Sequence, residues 1–119
     1  MAEYVDGFVL VLAKKNLQAY TKMAKVAAKV WRDHGAIDYR ECAGEDLAVK
    51  MGIPFRKLTG AKPAETVIFA WITYKSKKQR DVVNKKVMAD KRVAALCNPE
   101  NPPFDMKRLS YGGFETIVK

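Results

Sequence analysis

One histidine and two cysteines are all the imidazole and thiolate ligands that this chain offers a metal. Cys42 and Cys97 stand far apart, with no second pair and no His at ligand spacing, so the sequence signals neither a zinc site nor a redox pair. No cofactor or metal is expected, and the two thiols are expected to be free and at least half-buried. Long apolar runs are also missing, because none approaches the roughly 18 residues that span a bilayer. The opening residues MAEYVDG carry no basic n-region of a secretory signal. The expectation is a cytoplasmic protein without membrane contact. Acid is scarce relative to base, 13 Asp and Glu against 22 Lys and Arg, for a net charge of +9. That excess favours non-specific encounter with polyanions and says nothing about the fold. No RNP-like motif accompanies it, and no constellation of residues specifies a reaction.

What is present is globular: 49% hydrophobic and 29% charged residues in a chain of 119, enough for one domain over residues 1–119 to bury a core without disulfides. The chain is organised around Thr66 to Asp90, where an apolar strand runs into a capped basic helix. Along Thr66 to Tyr74, Val67, Phe69, Trp71 and Thr73 alternate with Ile68, Ala70, Ile72 and Tyr74. Both faces are therefore apolar, the pattern of a strand covered on both sides. Ser76 with Gln79 has capping-box spacing. In the helix that follows, Val83 and Val87 form a narrow stripe opposite Lys77, Lys78, Arg80, Lys85 and Lys86.

Tyr4 to Ala13 reads as another strand with two apolar faces. Asn16 is the expected N-cap of an amphipathic helix reaching His34, with Leu17, Tyr20, Ala24, Ala27 and Trp31 on one side and Lys22, Lys25, Lys29 and Arg32 on another. Gly35 suits the positive-φ residue that ends a helix. Ala36 to Ala43 is a strand of mixed polarity, placed either near an edge or along a cavity. From Gly44 to Pro63 runs a connection of about twenty residues, far above the ~4 to 6 usual in compact domains, with enough apolar side chains to dock on something. Asp90 can cap a short helix to Cys97, ENPPF reads as an extended linker, and Tyr111 to Val118 supplies the last strand.

Two strand–helix–strand halves predict an α+β, ferredoxin-like split βαβ fold: a four-stranded antiparallel sheet with its helices on one face. Two helices cover only one side of such a sheet, yet the first and third strands are apolar on both. A second copy related by a two-fold axis is the expected cover, which predicts a homodimer through the sheet faces.

With the strands in place, several blocks carry a resemblance: Tyr4-Val5-Asp6-Gly7-Phe8-Val9, Val30-Trp31-Arg32-Asp33-His34-Gly35-Ala36, Tyr39-Arg40-Glu41-Cys42, Phe69-Ala70-Trp71-Ile72-Thr73-Tyr74-Lys75-Ser76, Asn84-Lys85-Lys86-Val87-Met88-Ala89-Asp90, Pro103-Phe104-Asp105, Lys107-Arg108 and Tyr111-Gly112-Gly113-Phe114. In this order and spacing the chain resembles the YbaA-like proteins, a bacterial domain-of-unknown-function family. The resemblance implies a dimeric α/β-barrel fold and no particular reaction. Lys91 departs from it, standing where the family usually has Pro after Met-Ala-Asp.

Enzymes of related folds use a cavity between sheet and helices, and by that analogy a site here draws on seven residues. His34 and Arg108 are the catalytic candidates. Trp31, Tyr39, Glu41, Trp71 and Tyr111 are the ligand-binding candidates. His34 can serve as a general base near neutral pH or simply support the helix dipole beside Gly35. Arg108 can pair with Asp105 or Glu41, or bind an anionic ligand. Three readings stand: a small-molecule binder or enzyme, a homodimeric interaction module, and a basic-surface RNA-binding protein. An enclosed cavity, a packed interior and an uninterrupted basic surface respectively distinguish them.

Overall fold

A computed structural model describes residues 2–96 and 104–119. Strand β1 (Tyr4–Ala13) passes through a 3-10 turn at Lys14–Asn16 into α1 (Leu17–Asp33). Strand β2 (Asp38–Ala43) follows, then a short helix α2 (Phe55–Thr59) within the long connection, β3 (Glu65–Tyr74), α3 (Lys77–Met88), α4 (Lys91–Leu96) and β4 (Ser110–Glu115). The four strands form one antiparallel sheet in the order β2-β3-β1-β4. This is the expected α+β, ferredoxin-like arrangement, with β2 at an edge as its mixed polarity indicated.

The central pair β1 and β3 matches residue for residue from Tyr4↔Tyr74 to Ala13↔Glu65. Such a register sorts side chains by parity onto two faces. The even-numbered set, Leu10 and Leu12 with Ile68, Ala70, Ile72 and Tyr74, packs against Tyr20, Ala24 and Val30 of α1 and Val83 and Val87 of α3. The odd-numbered set points away from the helices. At its lower end Val11 and Val67 are buried, while Phe69 remains 47% exposed. Phe55 of α2 reaches this side, its ring 6.4 Å from that of Phe69.

Several local expectations are revised. Asn16 makes no side-chain cap; the chain enters α1 directly from the 3-10 turn, whose backbone already supplies the first bonds. Ser76 does cap α3, its Oγ accepting from Gln79 N at 3.1 Å, while Gln79 Oε1 accepts from Lys75 N rather than from the cap residue itself. The last strand starts one residue earlier and ends three residues earlier than its pattern suggested. Cys42 is exposed rather than half-buried, because it stands on the side of β2 away from the helices. Cys97 and most of the ENPPF segment lie outside the described residues. No helix among the described residues is long and apolar enough to cross a membrane.

Candidate functional site

Between sheet and helices lies a layer of polar side chains set into the apolar core. Its centre is Asp6, 1% exposed on the helix face of β1. A carboxylate so enclosed needs donors, and three supply them. Arg80 Nη1 donates at 2.7 Å and Tyr111 OH at 3.1 Å to Oδ1, and Asn84 Nδ2 donates to Oδ2 at 3.5 Å. Arg80 and Asn84 are four residues apart on α3 and so share a face of the helix. The Arg80 guanidinium also lies 4.9 Å from the ring centroid of Tyr4. On its other side Asn84 Oδ1 accepts from Trp31 Nε1 at 3.2 Å and from Tyr74 OH at 3.1 Å. Burial, with the charge of Asp6 next in weight, pushes the Tyr74 phenol well above its ordinary range.

A second cluster sits under α1 near the sheet edge. Glu41 receives both phenols, Tyr20 OH on Oε1 and Tyr39 OH on Oε2 at 2.6 Å. Burial and then the Glu41 carboxylate push both phenols above their ordinary range. Trp31 packs on Tyr39 with ring centroids 5.9 Å apart, linking this cluster to the first. Trp31, Tyr39, Glu41 and Tyr111 thus share the helix-side layer.

The remaining candidates lie elsewhere. His34 caps the end of α1 and meets Asp90 Oδ2 through Nε2 at 2.8 Å. Arg92 bonds the same carboxylate and also Asp33, and these contacts, Arg92 before His34, hold Asp90 well below the usual carboxylate range. Arg108 pairs with neither Asp105 nor Glu41. Its two terminal nitrogens embrace Glu65 at 2.8 and 3.1 Å, and Nη2 also donates to the Gly60 carbonyl. Glu65 begins β3, whereas His34 is close to its end, since Ile37 N donates to Thr73 O. Eight strand steps, from Glu65 to Thr73, separate the two places, about 26 Å at the usual rise. One cavity cannot use both as reacting groups. Trp71 is paired with Gly7 and Arg40 and therefore occupies the face turned away from the helices, apart from Trp31 and Tyr39.

Asp6, Arg80, Asn84, Tyr20 and Tyr74 were absent from the sequence-based list. Asp6 did carry a signal: a charge within an otherwise apolar strand set demands a partner, and the Arg80/Asn84 spacing could supply it. Arg80, expected on a solvated basic face, is 14% exposed at its side chain because that partner draws it inward.

On the opposite side of the sheet is an open apolar concavity of about 710 Å³. Gly7 and Gly112 are cross-strand partners at its floor. Trp71, Phe69, Val5 and Val9 flank them, and the Phe114 ring lies over Gly7, where an added Cβ would sit 3.1 Å from it. Within the helix-side layer, by contrast, no buried side-chain nitrogen or oxygen lacks a partner among the described residues.

Residues 3–106 match the model of a family described as "Protein of unknown function (DUF1428)". The chain belongs to the DUF1428 family. The YbaA-like resemblance holds across this DUF1428 chain: 40% identity over 116 residues to "Uncharacterized protein YbaA" of Escherichia coli K12, covering 98% of this chain and 97% of that protein. A Shigella flexneri protein of the same description matches equally. Among solved structures, a NIPSNAP family protein of unknown function from Agrobacterium tumefaciens superposes with a TM-score of 0.59 at 13% identity, over 97% of the DUF1428 chain and 88% of the other. A dimeric ferredoxin-like protein from an uncultured marine organism gives 0.55 at 11% identity, over 100% and 99% of the two chains. At such identities the likeness is one of fold.

Proposed function

We propose that this DUF1428 protein works as a homodimeric interaction module whose two open sheet faces pack against each other. The observation that carries the reading is the odd-numbered face of β1 and β3. Val5, Val9, Phe69 and Trp71 line an apolar concavity on a sheet whose other side is already covered by helices. An exposed apolar surface of this kind, continuous across three strands, is the usual mark of an interface. The described dimeric state of the marine ferredoxin-like protein supports it.

A small-molecule site between sheet and helices has less support. The polar groups there satisfy one another, and the two catalytic candidates sit at opposite ends of β3. Light scattering provides the test. Wild type is expected at twice the 13.4 kDa of one chain, and Trp71→Asp, which sets a charge in the middle of the face, at one. Lys25→Glu, on the far side of the molecule, keeps the dimer. Wild type at single-chain mass at micromolar concentration refutes the reading.

A further inference from the structure

The net charge is confined to one layer. Residues 17–33 and 77–96, which hold the three helices α1, α3 and α4, contain eleven Lys and Arg against three Asp, and thus eight of the nine net positive charges. The sheet, the long connection and the termini are nearly neutral.

Within this layer arginine and lysine are used differently. Each arginine is tied to the protein: Arg32 to Asp38 and the Tyr39 carbonyl, Arg80 to Asp6 and Asp81, Arg92 to Asp33 and Asp90. Lys29 pairs with Asp33. Lys22, Lys25, Lys77, Lys78, Lys85, Lys86 and Lys91 are all exposed, and no carboxylate among the described residues pairs with them. The unpaired cations are therefore point charges on flexible stems, suited to phosphate oxygens and indifferent to base identity.

What stands between these lysines narrows the partner. The large apolar residues exposed on α1, α3 and α4 are Val26, Val82 and Met88, and no aromatic is among them. The exposed aromatics Phe69, Tyr111 and Phe114 belong to the sheet, and Phe55 to the long connection. Single strands are held by stacking bases on aromatics, and a membrane surface calls for aromatic or bulky side chains to insert. A duplex, whose bases are already stacked, needs only charges along its backbones.

We propose that the helix layer is a sequence-independent contact surface for the phosphate backbones of duplex nucleic acid. Each lysine engaged contributes about −0.9 to the slope of log K against log salt, so seven give a slope no steeper than about −6. Fluorescence anisotropy with short labelled duplexes of two unrelated sequences, between about 50 and 200 mM salt, tests this. Both duplexes are expected to bind alike, with the same slope. The combined variant Lys22→Gln, Lys25→Gln, Lys85→Gln, Lys86→Gln is expected to flatten the slope by about 3 to 4. The control Lys57→Gln, Lys62→Gln, which removes charge from outside the layer, leaves the slope as it was. Circular dichroism melts verify that both variants fold. The proposal is overturned by any of four results: no binding at about 50 mM salt, an unchanged slope in the four-lysine variant, an equal loss in the control, or tighter binding to single strands or to phosphatidylserine vesicles than to duplex.

Discussion

At the scale of residues, the chain spends its buried polar groups on one another. Asn84 illustrates this: its carbonyl oxygen serves Trp31 and Tyr74 while its amide faces Asp6. Asn84→Ala is expected to leave two donors without a partner and to cost about 2–4 kcal/mol. Chemical denaturation checks this, and Asn84→Asp, which keeps the acceptor but sets a second carboxylate against buried Asp6, should not recover the loss at neutral pH. Arg108 and Glu65 form the other diagnostic pair. The Arg108 hydrogen bonds, followed by the Lys62 backbone N–H, lower the Glu65 carboxyl from 4.5 to about 2. A carboxylate depressed on folding stabilises the protein above its unfolded pKa and loses that contribution as pH falls through the folded value. Arg108→Gln is therefore expected to lower the melting temperature at pH 7, with the difference from wild type shrinking between pH 4.5 and about 2. A difference that persists unchanged at the acid end assigns the effect to packing instead.

At the scale of elements, the order of strands and helices was legible because its signals are local. Two-sided apolar strands, the Ser76 cap and the glycine at 35, with φ at 116°, each report on a few neighbouring residues. Parity was not legible. When both faces of a strand are apolar, nothing in the strand says which face the helices take, so Trp71 was grouped with Trp31 although the sheet lies between them. Register across long separations was equally hidden. Arg108 meets Glu65 over 43 residues and Arg80 meets Asp6 over 74, and no periodicity carries such information. The five-residue helix in the long connection escaped for a different reason: Phe55–Thr59 is too short for a hydrophobic period to show.

At the scale of the whole molecule, the described residues form a slab with extents of 38 × 38 × 20 Å. Its helix side bears nearly all the net charge and its sheet side is close to neutral. In the proposed dimer the two basic layers face away from each other, with both sheets between them, and the sheets alone stand about 10 Å apart. Their separation amounts to several Debye lengths of about 8 Å at physiological ionic strength. Two strongly cationic chains can then associate with little mutual repulsion. The dimer mass by light scattering is accordingly expected to be the same at low and high salt, while nucleic-acid affinity falls steeply over that range. A dimer built in this way would offer one lysine-bearing helix layer to each of two polyanions and hold them a fixed distance apart.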